Sequence, residues 1–597
     1  MTTRTVNRPS LLFRRIPALE ALRHYRAADA RADLVAGLTV AAIAVPQAMA
    51  YALVAGVPVE HGLYTAIIMT AVGALLDSSR QLINGPTNAI SIATLSALAL
   101  VPVEDKLAGA VTLALLVGAF QTLITLLRLG DLTRYISHSV IVGFTAGAGM
   151  LLVLDQVKNL AGWSARGDIH DHFVVRLWHT WTEGGAPHVP TLAVGASTVA
   201  LLLALRAIKR RLGWTLFPDF LLTISIMAAL SAALGLEAMG VKVVGEIPAR
   251  LPTPSMPPVT MAWVRELSTS ALAIALLGLL EAIAMAKAIA AQTGQKLDLN
   301  QQCLSEGLAN ITGSFFQCIP GSGSLTRSAI NQQAGAASQW SGVISAVAVA
   351  IIVLLFAPWA RFIPRSALAG MLLVSAFRMV DWGALRYHVR ATHFDAAIVI
   401  ATASAAVFIS VEFCILIGMT LSFLLAVPRA GRMTRTEFVV DRDGVVRERR
   451  DEEGVDADLL IFGLEGELFF GSTMAFEEHF DYMLERAEAA RVVVLRVKRI
   501  RNPDAVGLDE LQGFIRKAQR GGCRVLLSGL RPDLREGLRR TGLLEHLEPD
   551  QLFDERDRRG SSTVEAVRAA RAWLASAGRV EPLPGDRPEG QLADFLV

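Results

Sequence analysis

Apolar stretches of spanning or near-spanning length recur from Leu34 to Val427, and they restrict the possible folds more than any other feature of this chain. Of its 57 Lys and Arg and 54 Asp and Glu residues, only 41 fall among those 394 residues. In a soluble domain about one residue in four is charged. A helix needs about 20 apolar residues to cross a bilayer. The sequence therefore predicts a polytopic α-helical membrane protein and excludes a soluble single-domain enzyme.

The apolar stretches divide into fourteen predicted membrane-spanning segments. Their approximate limits are 34–55, 62–76, 86–101, 107–127, 136–154, 191–205, 217–235, 268–291, 302–317, 324–333, 340–357, 364–379, 394–411 and 413–427. An even number of spans returns the chain to the side on which it began, and the Arg-rich N-terminus places that side in the cytoplasm. We predict a cytoplasmic N-terminal segment over 1–33 and a transmembrane domain over 34–427.

The pattern of residues changes abruptly after Pro428. Short apolar runs at 458–462, 491–495 and 524–527 are typical of buried strands. Amphipathic helix patterns lie after the first run at 474–489, after the second at 508–519 and after the third at 533–544. Alternating strands and helices predict a small cytoplasmic α/β domain over 428–577, including its linker. A flexible C-terminal tail is predicted over 578–597.

Two of the predicted spans begin with Gly and Pro, at 84–87 and at 320–324. Irregular backbone at membrane depth persists only where it is buried in protein or lines a cavity. The two spans are the third and the tenth, which are corresponding places in two halves of seven. Paired interrupted segments of this kind indicate a transporter site in an inverted repeat. Two kinked helices that serve only packing are the alternative.

Arg327, about one turn into the tenth segment, is an ionisable residue at membrane depth and so a candidate for function. The starts of the third and tenth segments offer free N–H groups and the positive ends of two helix dipoles. Together with the arginine they predict an anion site. The candidate substrate-binding residues are Gln47, Tyr51, Thr87, Asn88, Ser324, Leu325, Thr326 and Arg327. For Gln47 and Tyr51, ordinary packing between helices is the alternative.

Glu281, far from either end of the eighth segment, is the second ionisable candidate. A carboxylate beside an arginine can take up a proton on the acidic side and so release the arginine's charge to an incoming anion. We therefore predict that Glu281 couples proton entry to anion entry. The alternative is a buried ion pair between Glu281 and Arg327 that only stabilises helix packing.

Other classes of function have little support. The four cysteines, Cys303, Cys318, Cys414 and Cys523, lack metal-ligand spacing and are predicted to be small buried side chains. No metal or cofactor is predicted. A net charge of +3 without a basic stripe does not favour nucleic acid as a partner. Neither a nucleophile elbow nor a phosphate loop is present, so an enzyme is not expected.

The runs at 280–284, 307–314 and 323–331 resemble the sulfate permease (SulP) family of anion transporters. So do 45–51 and 79–87, while the C-terminal region resembles a STAS domain. The resemblance covers the chain from about Arg31 to Ala575. It implies a 7+7 inverted repeat divided into a core and a gate domain, with substrate between the third and tenth helices. It further implies an elevator-like movement of the core against the gate, and a homodimer in a lipid membrane.

Within this resemblance, Gln47, Tyr51, Thr87, Thr326 and Arg327 match substrate-pocket positions. Glu281 matches the carboxylate of plant-type sulfate/proton symporters. The resemblance thus implies proton-coupled sulfate uptake. The compact Ala/Arg/Leu-rich chain has no transit peptide, so we expect a bacterial inner (plasma) membrane. A bicarbonate or dicarboxylate symporter and a chloride/anion exchanger of the same family are alternatives. An anion channel, or a sensor that signals through its STAS domain, is a different class that would show no uphill accumulation.

The predicted STAS domain departs from its family's pattern at one position. Phosphorylatable STAS domains carry Asp-Ser-Ser/Thr-Gly at the start of a helix, whereas this chain has Asp, Ala, Val and Gly at 504–507. With no hydroxyl at the acceptor position, we expect the phosphoserine switch to be absent. The domain would then serve dimer contacts, stability or the binding of a partner that the sequence does not identify.

Overall fold

The computed structural model describes two compact units, Met1–Ser422 and Phe423–Val597. The described residues are 16–99, 101–127, 137–164, 166–167, 171–213, 217–440, 445–450, 458–487, 490–555 and 561–577. The tail predicted over 578–597 lies outside them, as do residues 1–15 of the predicted N-terminal segment.

Each of the fourteen predicted spans corresponds to one helix among the described residues. The helices are α1 (Ala27–Ala55), α2 (Val59–Leu76), α3 (Asn88–Ala97), α4 (Lys106–Leu126), α5 (His138–Ala161), α6 (Val189–Leu212), α7 (Asp219–Leu234), α8 (Met261–Thr293), α9 (Leu299–Ser314), α10 (Leu325–Gln333), α11 (Trp340–Ala360), α12 (Arg365–Met379), α13 (His393–Phe408) and α14 (Val411–Ala430). Two further amphipathic helices, Phe173–Glu183 and Trp382–Ala391, were not predicted, because they lack an apolar run.

Nine of the helices in the described residues are long and apolar enough to cross a membrane. The helices α3, α7 and α13 are apolar but shorter. The helix α9 is less apolar because it carries buried polar side chains, among them Gln302 and Asn310. The helices α3 and α10 have 10 and 9 residues, so each extends only about 15 Å and reaches about half-way across a hydrocarbon core.

Helices from both halves of the sequence pack into two groups. One group, called the core group, joins α1–α4 with α8–α11, and the other, called the gate group, joins α5–α7 with α12 and α13. The helix α14 belongs to the gate group, since its Gly418 lies against Thr402 of α13 and Val140 of α5. Close packing within the first group depends on glycine, since a Cβ on Gly307 of α9 would lie 2.4 Å from Oγ1 of Thr122 on α4. This arrangement confirms the predicted fold class, with its core and gate groups built from a 7+7 repeat.

The Gly- and Pro-containing starts of the third and tenth spans form two short strands, β1 (Asn84–Gly85) and β2 (Ser322–Gly323). They pair antiparallel, with Asn84 opposite Gly323 and Gly85 opposite Ser322. The half-helices α3 and α10 begin directly after them. The pairing therefore places both helix N-termini side by side inside the first group, although about 240 residues separate them in the chain.

The second unit contains a six-stranded sheet in the order β4-β3-β5-β6-β7-β8. Its strands are β3 (Thr434–Val440), β4 (Val446–Glu448), β5 (Leu459–Glu467), β6 (Val492–Arg501), β7 (Arg524–Leu530) and β8 (Leu552–Asp554). The strands β5 to β8 are parallel, whereas β3 runs antiparallel to β4 and β5.

Helices cover both faces of this sheet. The helices are α15 (Thr473–Ala487), α16 (Ala505–Arg520), α17 (Pro532–Arg540) and α18 (Ser561–Ser576). Val493 and Leu495 of β6 enter one apolar cluster with α15 and α16, while Val492 and Val494 enter the other with α18. Burial on both faces explains why the predicted strands are continuous apolar runs rather than alternating patterns.

Candidate functional site

Arg327 is fully buried one turn into α10. Its Nη2 donates a hydrogen bond of 2.8 Å to the carbonyl of Pro86, between β1 and α3. The other two guanidinium nitrogens, Nε and Nη1, have no hydrogen-bond partner. Because burying unpartnered N–H donors of a charged group is costly, this side chain is prepared to bind an acceptor.

Gly85 forms one wall of the space around this guanidinium. Its φ of +145° is a backbone conformation that residues with a side chain rarely adopt. A Cβ at this position would lie 2.9 Å from Nη1 of Arg327. The glycine therefore lets the β1 backbone approach the arginine closely.

Hydroxyl groups cap both half-helices. Ser324 Oγ accepts a hydrogen bond from the backbone N–H of Arg327 (3.4 Å), and Thr87 Oγ1 accepts one from that of Ile90 (3.3 Å). The N-terminal ends of helix dipoles favour negative charge. The two caps, two helix ends and Arg327 thus concentrate hydrogen-bond donors and positive charge at one place.

Glu281 is joined to this place through Thr87 and not through Arg327. The Thr87 hydroxyl donates a hydrogen bond of 3.1 Å to Glu281 Oε2. No ion pair connects Glu281 to Arg327 among the described residues. The structure therefore does not contain the alternative, a buried ion pair that only stabilises helix packing. Glu281 also lines a cavity of about 40 Å³, together with Phe144 of α5 and other apolar side chains.

The remaining predicted residues lie around the half-helix starts. Gln47 and Tyr51 of α1 are 4% and 5% exposed, and Gln47 Oε1 has no hydrogen-bond partner. Tyr51 is within electrostatic range of both Arg327 and Glu281. The Asn88 amide contacts Met379 Sδ of α12 at 3.4 Å, so it faces the gate group.

Leu325 and Thr326 occupy the first two positions of α10. Leu325 is 57% exposed and Thr326 is half-buried. The side chain of Leu325 offers no donor to an anion, so its contribution to the site is confined to its backbone N–H. Both residues nevertheless belong to the first turn of the half-helix, where backbone donors are free.

Sequence analysis missed a set of buried polar residues behind the site. The Asn310 amide donates to the carbonyl of Gly321 and accepts from its N–H, both at 3.0 Å, and so holds the backbone just before β2. Asp77 and Glu306 are fully buried carboxyl groups in the same group of helices. Glu306 lies inside the predicted span 302–317, so the rule that selected Glu281 and Arg327 could have found it.

The four cysteines are buried, as the sequence predicted. Among the described residues, no group of three or more His, Cys, Asp or Glu side chains could hold a metal ion. In the second unit, Asp504 caps α16 by accepting from the N–H of Gly507 at 2.8 Å. The absence of a phosphoserine switch at this helix start stays a prediction.

Two family models match the chain. The model of the Sulfate permease family matches residues 31–402, and that of the STAS domain matches residues 450–558.

Curated relatives match over long stretches. A Mycobacterium tuberculosis protein named "Probable sulfate transporter MT1781" is 29% identical over 549 residues, which are 90% of this chain and 96% of that protein. "Sulfate transporter 4.1, chloroplastic" of Arabidopsis thaliana is 32% identical over 417 residues, 69% of this chain and 60% of that protein.

Among solved structures, murine Solute Carrier 26 family member A9, an anion transporter described in its inward-facing state, superposes with a TM-score of 0.84. It is 20% identical in sequence, and the match covers 96% of each chain. At this identity the similarity concerns the fold.

Proposed function

Since this chain belongs to the sulfate permease family, we propose that it is a secondary active transporter that takes up sulfate together with protons. The observation that carries the proposal is Arg327, fully buried with two unpartnered guanidinium nitrogens where two half-helices begin. That the protein is a membrane anion transporter follows from its family.

The chemistry of the site suits an oxyanion. Arg327 offers a planar set of donors, which matches oxygen atoms held at fixed spacing better than a point charge does. Backbone N–H groups at the starts of α3 and α10 and the hydroxyls of Ser324 and Thr326 add donors. A tetrahedral anion with four acceptor oxygens can use several of these donors at once. The names of the bacterial and plant relatives support sulfate in particular.

Proton coupling is proposed to run through Thr87. Its single O–H can donate to Glu281 or to a bound anion, but not to both. With Glu281 ionised, the hydroxyl points to the carboxylate, and the negative charge opposes an anion at Arg327. When Glu281 takes up a proton, its own O–H can donate to Thr87 Oγ1, which frees the threonine hydroxyl for the anion and removes the repulsion.

The movement proposed is that of an elevator. The half-helices and the helices that carry Gln47, Tyr51 and Glu281 all belong to the core group, whereas Phe144 and Met379 belong to the gate group. A rigid-body displacement of the core past the gate would carry the site across the membrane without rebuilding it. We further propose that the transporter works as a homodimer in the inner membrane, with its N-terminus and STAS domain in the cytoplasm.

The test is radiolabelled sulfate uptake into proteoliposomes with an acidic exterior, with and without an uncoupler. Accumulation above the equilibrium level that the uncoupler abolishes is the expected result. Equilibration without accumulation would indicate a channel. If bicarbonate, a dicarboxylate or chloride is transported in place of sulfate, the proposed substrate is wrong and the proposed binding site remains. The exposed Glu237 of the same unit supplies the control variant Glu237→Gln for the variants of Glu281.

A further inference from the structure

Two carboxyl groups, Asp77 and Glu306, are fully buried in the core group behind β1 and β2. Asp77 follows α2, and Glu306 lies in the middle of α9, which packs against α2, α4 and α8. The function proposed above uses neither of them. A buried carboxyl group without a role in a described site requires a physical account.

Asp77 is supplied with hydrogen-bond donors. Its Oδ1 accepts from the Gln302 amide at 2.6 Å, and both of its carboxyl oxygens lie 3.2 Å from the Asn84 amide nitrogen. Asn84 is the first residue of β1 and pairs with Gly323. Asp77 therefore contacts β1 directly, at the residue before Gly85, and Gly85 lies against Arg327.

The Gln302 amide lies near Glu306, but its hydrogen bond goes to Asp77. Both carboxyl oxygens of Glu306 are buried and have no hydrogen-bond partner. Glu306 lies four residues after Gln302, hence on the same face of α9 as the amide that binds Asp77. An ionised carboxylate deprived of water and of donors is far more costly than the neutral acid, and such a group keeps its proton instead.

The charged groups around Glu306 do not offset a negative charge there. The charges that act on it come from Asp77 after α2 and from Glu281 on α8, and both are acids. The Cys303 thiol is a further titratable neighbour on α9, and α4 presents the uncharged Gln121 and Thr122. The nearby basic residues of the connecting segments and of α8 all have exposed side chains; they are Arg80, Lys287 and Lys296.

Asp77, Glu306 and Glu281 lie at increasing depth from one end of the core group. Residues 77–83 and 294–298 meet there, because the N–H of Asp298 donates to Ser78 Oγ at 2.7 Å; we call this the 77–83 end. Asp77 belongs to this end. Glu306 is seven residues into α9, about 10 Å along the helix axis, and Glu281 is twelve residues before the end of α8, about 18 Å along it.

We propose that Asp77 and Glu306 form a second proton-binding site, which receives the proton from Glu281 and releases it at the 77–83 end. Glu306 holds the proton between transfers, and the ionised Asp77 is its acceptor on the way out. Only protons move, so charge and atoms balance. The proton-binding site does not depend on the proposed function. The direction of proton flow, in contrast, rests on the proposed proton-coupled transport.

The first experiment detects the proton directly, by infrared spectroscopy of the purified full-length protein through the carbonyl stretch of a protonated carboxyl group. We expect this band at neutral pH in the wild type and in Glu237→Gln, and its loss in Glu306→Gln. In Asp77→Asn the band should persist, because Glu306 and not Asp77 holds the proton. A wild type without the band, or a Glu306→Gln variant that retains all of it, would overturn the proposal.

Thermal unfolding supplies an independent readout. Glutamine is close in shape to a neutral glutamic acid, so Glu306→Gln should unfold at the same temperature as Glu237→Gln at neutral pH. A large loss of stability would mean that the carboxylate is ionised and paired, against the proposal. Stabilisation by sodium chloride relative to choline chloride, present in the wild type and lost in Glu306→Gln, would assign the site to a metal cation instead.

Transport tests the direction of proton flow. Sulfate/sulfate exchange should persist in Glu306→Gln, whereas acid-driven accumulation should fall by about tenfold or more, as expected when a proton-transfer group is lost. If the wild type accumulates sulfate under acid drive and Glu306→Gln does so equally, the relay is wrong. If the wild type itself shows no acid drive while the infrared band is present, the proposed proton coupling fails and the proton-binding site stands.

Discussion

Gly85 lies against the guanidinium of Arg327, so closely that a Cβ on the glycine would be 2.9 Å from Nη1. The two residues belong to different halves of the chain and meet because β1 pairs with β2. The backbone of the first half thereby helps to position the buried guanidinium of Arg327 in the second half. The close approach leaves no room for a side chain at position 85.

Gly85→Ala is expected to weaken sulfate binding by about tenfold or more, because the φ of +145° and the contact with Nη1 impose a strain of about 1–3 kcal/mol. Isothermal titration of purified protein with sulfate measures the effect. Gly513→Ala is the matched control, since open space surrounds that glycine. Equal affinity in both variants would show that Arg327 does not need the close approach.

Arg327→Lys is expected to retain positive charge but to lose the bond to the Pro86 carbonyl and the planar donor set. Hydrogen bonds to charged groups contribute about 1.5–3 kcal/mol each, so sulfate affinity should fall by about ten- to a hundredfold. Equilibrium binding of labelled sulfate measures this loss. Wild-type affinity in Arg327→Lys would mean that charge alone recognises the anion.

The link between Thr87 and Glu281 predicts different results for two substitutions of Thr87. Thr87→Ser keeps a hydroxyl that can cap α3 and donate to Glu281, and it should preserve the pH dependence of uptake. Thr87→Val removes both functions, with a cap loss of about 1 kcal/mol, and should make uptake insensitive to external pH. The measurement is initial uptake rate against external pH in proteoliposomes. Identical pH profiles for both variants would exclude Thr87 from the coupling.

Gly307→Ala tests the contact between α4 and α9. A Cβ there would lie 2.4 Å from Thr122 Oγ1 and 2.8 Å from the Thr122 backbone nitrogen. Overpacking of this kind costs about 1–3 kcal/mol. We expect a lower unfolding temperature in detergent than for Gly513→Ala. Unchanged stability would show that the two helices can separate without cost.

The second unit supplies a prediction on pH. Burial by itself raises the pKa of Glu437, but hydrogen bonds from Tyr482 (2.7 Å) and Arg449 (2.5 Å) outweigh it and hold the pKa below its usual value of 4.5. A lowered pKa in the folded state stabilises the fold above the unfolded-state value and loses this effect as the pH falls through the folded-state value.

Glu437→Gln should therefore lower the unfolding temperature of the second unit at neutral pH. The difference between variant and wild type should shrink as the pH falls below about 4.5. Calorimetry of the full-length protein over a pH series measures both changes. A difference that stays constant with pH would show that ionisation of Glu437 does not contribute to stability.

Much of the architecture could be predicted from sequence, because apolar length and Gly/Pro punctuation are local properties. All fourteen predicted spans correspond to helices, and the two interrupted ones carry the paired strands. The helices Phe173–Glu183 and Trp382–Ala391 were missed since an amphipathic pattern in a connecting segment does not distinguish a surface helix from a loop.

The candidate site residues could also be predicted only in part. Arg327 and Glu281 could be selected because a charge within an apolar run is visible in the sequence itself. That Glu281 meets Thr87 and not Arg327 could not, because the contact depends on how α3 and α8 pack. Glu306 was overlooked although it obeys the same rule as Glu281.

The sequence by itself determined which segments enter the membrane, where two of them break, and which charges they carry, because each of these follows from neighbouring residues. The tertiary structure alone decided which groups face one another. The pairing of Gly85 with Ser322 brings together residues more than 200 positions apart. The packing of α9 against α2 and α8 places Glu281, Glu306 and Asp77 in one group of helices. Hydrogen bonds and the interactions of buried charges depend on distances of a few ångströms. Between residues far apart in the sequence, only the packing of the folded chain sets these distances.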